Sequence, residues 1–383
     1  MDAIQSPLIP VVGELIAQNP NTISLGQGVV YYPPPPEAIE FVSKFWQEAN
    51  NHKYKSVQGI PPLLEAITKK LQTDNNCHVD DEQCIFVTAG SNMGFINTIF
   101  AITEPHDEII LLTPYYFNHE MAIKMANCKP VLVSTDEQYQ LDVEAIAGAI
   151  TPKTKAIVTI SPNNPTGVVY PEASLRAVNK LCQENNLYHI SDEAYEYFTY
   201  DDTPHFSPCA IENSHNHTIS LFSLSKAYGF ASWRIGYQLL PSHLLMRMKK
   251  VQDTVLICPP VISQYAALGA LQAGRDYSAQ HLSSIASVRQ LYLDELSQIS
   301  DIATVSSASG AFYFFLRVNS NDDSFSFAKK LITEHKVATI PGNTFGMETG
   351  CYLRVAYGSL SEDVAIEGVQ RLVTGLKDLS RQK

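Results

Sequence analysis

Charge is scarce in this sequence. Only 17% of its 383 residues are Asp, Glu, Lys or Arg, against 45% hydrophobic, a ratio that excludes a disordered chain or a coiled coil and leaves ample material for a buried core. Positive charge is the scarcer sign: 27 Lys+Arg against 39 Asp+Glu leave a net charge of −12, with no Lys/Arg run. Without that electrostatic footprint no nucleic-acid partner is expected, because phosphate contacts carry most such affinity. No apolar stretch approaches the ~18 residues of a membrane helix, and Met1 to Gly13 has no basic segment followed by an apolar run, so neither a membrane partner nor a targeting segment is expected. The seven cysteines (77, 84, 128, 182, 209, 258 and 351) are odd in number, scattered, and include no C-x-x-C pair. That usage indicates neither a disulfide framework nor a zinc site, and it fits a reducing cytoplasm.

What is abundant is a rhythm of short apolar runs: Cys84–Val87, Glu108–Leu112, Pro130–Val133, Ala156–Ile160, Leu187–Ile190 and Thr218–Phe222. Helix-length amphipathic segments such as Glu172 to Asn185 separate them, which is how parallel strands covered on both faces read. The fold class is therefore α/β, with a mostly parallel central sheet flanked by helices. From Ala273 the texture changes: a helical stretch around Tyr277 to Gln298 precedes strand-like Ala311 to Val318, Val337 to Ile340 and Tyr352 to Ala356. This reads as a smaller α+β domain. The expected division is a large domain over 36–274 and a small one combining 1–35 with 275–383. The stretch up to Pro36, with prolines at 33 to 36, has no strong period and is expected to cross the surface.

In open α/β sheets ligands collect at the carboxyl ends of strands, and polar clusters follow the apolar runs here. Thr88-Ala89-Gly90-Ser91-Asn92 is a small-residue turn opening a helix, a suitable anion cradle. Ser161-Pro162-Asn163-Asn164-Pro165-Thr166-Gly167 is too rich in Pro and Asn for a mere connector. Asp192 in Ser191-Asp192-Glu193-Ala194-Tyr195 puts a carboxylate at a strand end, where an unpaired charge is costly. Ser223-Leu224-Ser225-Lys226 sets a lysine just past a strand, with Arg234 eight positions on, which suits a Schiff-base lysine beside a phosphate site.

Asn164-Pro165-Thr166-Gly167, Asp192-x-x-Tyr195 and Ser223-x-Ser225-Lys226 with Arg234, in this order, resemble the class I/II aminotransferases of the fold-type-I pyridoxal-phosphate enzymes. The likeness runs from Gly26-Gln27-Gly28 to Tyr352-Leu353-Arg354. It implies pyridoxal 5′-phosphate as cofactor, held by Lys226 as a Schiff base, with the freed amine then moving the substrate's Cα proton. By the same resemblance Asp192 pairs with the pyridinium nitrogen and is steadied by His119. Asn164 and Tyr195 contact the ring's 3-oxygen, and Tyr116 stacks on the ring, with Tyr115 as competitor. Gly90, Ser91, Asn92, Ser223 and Arg234 hold the phosphate; Arg354, with Gly28 close by, clamps the substrate α-carboxylate. Tyr54, five residues before Gly59, is expected to reach the phosphate of a neighbouring subunit, which makes the protein a homodimer with shared active sites. The Asn164-Pro165 and Thr113-Pro114 peptides are expected to be cis.

The resemblance thins after Gly28, where many relatives carry an acidic Pro-Asp-Phe-like turn and this chain reads Val29-Val30-Tyr31-Tyr32-Pro33. Tyr31 and Tyr32 suggest a roomy, partly apolar substrate pocket suited to aromatic, methionine-like or glutamine-like side chains at least as well as to aspartate. The activity implied is transfer of an amino group from an L-amino acid to a 2-oxo acid. A C–S lyase or cyclopropane-forming synthase on the same scaffold would share Lys226, Asp192 and Asn164. A non-catalytic cofactor-sensing module is the third reading, and the complete catalytic set argues against it.

Overall fold

The computed structural model describes residues 4–5 and 8–381. Along it run α1 (Leu8–Gln18), β1 (Ile23–Ser24), α2 (Pro36–Phe45), α3 (Pro61–Asn75), β2 (Gln83–Thr88), α4 (Ser91–Ile102), β3 (Glu108–Thr113), α5 (Phe117–Met125), β4 (Lys129–Ser134) and β5 (Thr154–Ile160). After the helix Glu172–Glu184 come β6 (Tyr188–Asp192), β7 (Thr218–Ser223) and β8 (Gly236–Pro241). The helix Val261–Ser297 then leads to β9 (Ala303–Val305), β10 (Tyr313–Val318), β11 (Val337–Ala338), β12 (Ile340–Pro341) and β13 (Cys351–Ala356).

All six apolar runs lie in one seven-stranded sheet of order β2-β8-β7-β6-β5-β3-β4. Its registered pairs are parallel except where β8 runs antiparallel to β2 and β7. Alternate residues of one strand enter different cores: Ile109 and Leu111 join the cluster under α4 and α5, while Ile110 and Leu112 join the one under the helix Glu172–Glu184. With both faces covered, polar alternation disappears, which is why these strands read as unbroken apolar runs. Truncating a fully buried side chain such as Ile110 to Ala would cost about 2–5 kcal/mol. The strand β8 was not among the expected runs; it directly follows the Arg234 segment.

A four-stranded antiparallel sheet of order β12-β13-β10-β9 builds the second core, where Tyr292, Phe312 and Phe314 are fully buried. The N-terminal stretch corrects the expectation of a surface crossing. α1 packs Val12 to 3% exposure, and β1 pairs in parallel with β11, Ile23 opposite Val337. Pro10 lies in the first turn of α1, where its missing N–H costs nothing. The helix expected around Tyr277 to Gln298 begins earlier, at Val261, and is broken at Gly274 (φ 70°, ψ −168°).

Candidate active site

The carboxyl ends of β2, β5, β6 and β7 open into one cavity of about 260 Å3. Ser91, Asn92, Tyr116, Asn164, Asp192 and Tyr195 line it, and so do Ser223, Lys226 and Arg234. Gly90, at φ 83°, is the residue before α4; a Cβ there would collide with the Arg234 guanidinium, so only glycine lets that cation sit over the start of the helix. Arg234 donates to the Ala231 carbonyl at 2.8 Å and to the Ala89 carbonyl at 3.5 Å, and its exposed side chain lines the cavity.

Asp192 ends β6, with one carboxylate oxygen 3.1 Å from His119 Nε2 and the other accepting from the Ala194 amide at 3.1 Å. His119 is buried on α5 and stacks on Phe95, ring centres 3.9 Å apart. The acidic turn around Asp192 is buried rather than solvated. His205 lies 3.0 Å from Glu193, and Lys70, itself only 7% exposed, reaches Glu196 at 2.5 Å. Each flanking carboxylate thus has its own cationic or hydrogen-bonding partner, as burial requires.

Asn163 pins the loop around its neighbour: its side-chain oxygen accepts from the Thr166 amide at 3.1 Å and hydroxyl at 2.8 Å. Asn164 is thereby left to face the cavity, its oxygen accepting from Arg354 Nη1 at 2.9 Å. The Asn164-Pro165 and Thr113-Pro114 peptides are cis, as is Ser161-Pro162. Arg354, on β13, is 2% exposed; its Nη2 donates to the Gly26 carbonyl at 2.7 Å, and its Nε has no partner among the described residues. A buried guanidinium with a free donor calls for an anion.

Lys226 lies in a four-residue helical turn, Leu224–Ala227, started by Ser223, whose hydroxyl accepts from the Ser225 amide at 3.2 Å. Its Nζ donates to the Gly28 carbonyl at 2.5 Å. Burial, with Arg354 and Arg234 nearby, pushes the amine down from 10.5 to about 8, against an opposing pull from Asp192. Tyr195 meets Tyr313 hydroxyl to hydroxyl at 2.7 Å, and burial holds its phenol well above the ordinary range.

Of the two competing aromatics, Tyr116 lines the cavity, its hydroxyl accepting from Asn118 at 2.7 Å. Tyr115 instead lies against Gly346, its amide donating to the Phe345 carbonyl at 3.1 Å, and lines neither cavity beside Lys226. Gly28 and Arg354 line an adjoining cavity together with Lys226. Tyr54 is 78% exposed and lines neither space of its own chain.

The placing of Tyr31 and Tyr32 in the substrate pocket is corrected. Tyr32 donates to the carbonyls of Lys226 at 3.0 Å and Ala227 at 3.3 Å and stacks on His281, clamping the lysine's backbone, while Tyr31 turns outward against His281. The residue-by-residue reading did not anticipate Ala194, Ser225 and Tyr313. Ser225 stood inside the lysine motif; Tyr313 lies in a strand whose spacing gives no sign of it.

The sequence profile of aminotransferase class I and II matches residues 20–372. An aromatic aminotransferase of Arabidopsis thaliana is 30% identical, covering 97% of this chain and 94% of its own. An aspartate aminotransferase of Pyrococcus abyssi is 31% identical over 99% and 97%. A single mutant of Thermus thermophilus aspartate aminotransferase superposes with a TM-score of 0.90 at 31% identity, over 98% of each chain. The chain belongs to the class I and II aminotransferases. It is a fold-type-I, pyridoxal-phosphate-dependent transaminase.

Proposed function

We propose that this chain moves an amino group from an L-amino acid to a 2-oxo acid with Lys226 as the proton carrier, in a homodimer whose subunits share active sites. The observation that carries the reading is the Lys226 amine, buried beside two arginines and held to about 8, so that a useful share is neutral near neutral pH. The donor set suits pyridoxal phosphate: Arg234 and the start of α4 for a phosphate, the Asp192 carboxylate for a pyridinium, and a lysine for an aldehyde. When bound, the cofactor supplies an electron sink for the pair left behind as a Cα proton departs.

This chain's residues do the rest. Arg354 grips the α-carboxylate through its free Nε and displaceable partners, fixing the Cα–H bond relative to the ring. Lys226 takes that proton as a free amine and returns it one position along. Asp192, oriented by His119, would hold the ring nitrogen, its charge favouring the protonated form. Asn164 and Tyr195 would hold the ring oxygen, Tyr116 would pack on the ring, and Ser91, Asn92, Ser223 and the Gly90 backbone would join Arg234 in holding the phosphate. The exposed Tyr54 is assigned to the partner's phosphate.

The two units are taken as 36–274 and 1–35 with 275–383; the break at Gly274 and the β1–β11 pairing support that division. All seven cysteines are free, in keeping with a cytoplasmic protein, and no helix among the described residues is long and apolar enough to cross a membrane. Adding an amino donor without acceptor should convert the bound cofactor's absorbance to that of its amine form. Lys226→Ala should abolish this conversion, with turnover down about 10³-fold or more. Retention of wild-type turnover by Lys226→Ala would overturn the assignment, and release of a cleaved product without the amine form would mark a lyase.

A further inference from the structure

The adjoining cavity, about 350 Å3, shares Tyr116, Asn164, Tyr195 and Lys226 with the cofactor pocket. One wall is α1, through Ile9, Val12, Gly13 and Ile16. These positions are i, i+3, i+4 and i+7, a single helical face. Val29, Phe117 and Ile340 extend the apolar lining opposite. Among the described residues, the only charged side chains on this wall are Lys226 and Arg354, both committed to the reacting centre.

A second carboxylate carried into this space would lose its hydration, and among the described residues this chain's lining offers no further cation to replace it. An uncharged side chain would instead displace water from apolar walls, which is favourable. Gly13 points the same way. Glycine inside a helix is destabilising relative to alanine. No close packing demands it here, since nothing lies within 4 Å of where its Cβ would stand. Its bareness keeps cavity volume open, and the space that results is far larger than the one-carbon reach of aspartate needs.

We propose that the Ile9–Val12–Gly13–Ile16 face of α1 reads the substrate side chain and selects amino donors with large, uncharged, apolar side chains, aromatic or thioether, over aspartate and glutamate. This rests on the assignment of Arg354 to the α-carboxylate, which turns the rest of the substrate toward α1.

The test is the single-turnover conversion of holoenzyme cofactor by L-phenylalanine, L-methionine, L-alanine and L-aspartate, compared as kcat/KM. Phenylalanine and methionine should exceed aspartate by about tenfold or more. Gly13→Leu should lower the phenylalanine-to-alanine ratio about tenfold or more by filling the space that alanine does not use. Val12→Arg should raise the aspartate-to-phenylalanine ratio by a similar factor, and it carries the test if Gly13→Leu does not fold. Conversion by none of the donors would overturn the aminotransferase assignment itself. Conversion with aspartate preferred, or with both ratios unmoved in the variants, would leave that assignment standing and overturn the role of α1.

Discussion

Lys226 stands between two spaces of opposite character. On one side the cofactor cavity is polar and is built almost wholly from turns at the carboxyl ends of sheet strands, each side chain fixed by its own loop. On the other side the α1 cavity is mostly apolar, and its walls come from segments hundreds of residues apart: α1, the Gly26–Val29 stretch, the start of α5, β12 and β13. The first kind of site is set by one sheet and survives as long as that sheet does. The second exists only when α1 has closed over the sheets. Cofactor chemistry and side-chain choice are therefore separable in this protein, and substitutions on the two sides should have different signatures.

The largest effect expected from a residue outside the lysine itself is that of Arg354→Ala, because Arg354 belongs to the apolar side but is assigned to the carboxylate that all donors share. Losing a desolvated charge pair costs about 2–5 kcal/mol, or about 30- to 5,000-fold in kcat/KM. The loss should be similar for every donor, and the cofactor dissociation constant should barely move, since Arg234 and not Arg354 is assigned to the phosphate. Donor panels and cofactor titrations on the same variant measure both. A loss confined to acidic donors would make Arg354 a side-chain reader and erase the contrast drawn above.

The same contrast explains what was legible in the sequence. Asn164, Asp192, Ser223 and Lys226 end buried strands or follow them within a few residues, so an apolar run and then a polar cluster announced them, and Arg234 was placed by its spacing of eight from Lys226. His119 was placed by its spacing from Tyr116, and it does reach Asp192. The α1 face was illegible because Pro10 and Gly13 weaken a helical reading, and because its partner surfaces lie on β12 and β13, more than 300 positions away. Tyr31 and Tyr32 misled for a related reason. Their distance from Gly28 along the chain is short, but the backbone turns them toward the helix Val261–Ser297, where His281 and Tyr277 receive them. Tyr313 could not be foreseen, since its hydroxyl meets Tyr195 only once the two sheets have come together.

A second, smaller effect sharpens the electrostatic side of the comparison. The Lys226 amine must be neutral to attack the cofactor's aldehyde, and it titrates at about 8 instead of 10.5. Cofactor uptake by the apoprotein should thus rise about tenfold per pH unit below 8 and level off above it. A lysine left at its ordinary value would still be climbing at pH 10. Arg354→Ala removes a neighbouring cation and should move the midpoint up; Asp192→Asn removes an anion and should move it down. Uptake rates followed by absorbance between pH 6 and 10 give the midpoint. One that ignores both substitutions would mean that another step limits uptake.

The last effect concerns the one cofactor contact assigned from outside the chain. Tyr54 is 78% exposed and lies off its own cavity, whereas every other residue assigned to the cofactor lines that cavity or borders it. A hydrogen bond to a charged phosphate is worth about 1.5–3 kcal/mol, so Tyr54→Phe should weaken cofactor binding by about 12- to 160-fold. The informative measurement is a mixed dimer of a Tyr54→Phe subunit with a Lys226→Ala subunit. If Tyr54 acts across the interface, the site that keeps Lys226 receives an intact tyrosine from its neighbour and should bind cofactor as tightly as wild type. If Tyr54 acts within its own subunit, that same site stays weakened to the level of the Tyr54→Phe homodimer. An active monomer with wild-type affinity would remove both the partner and the reason for an exposed tyrosine at this position.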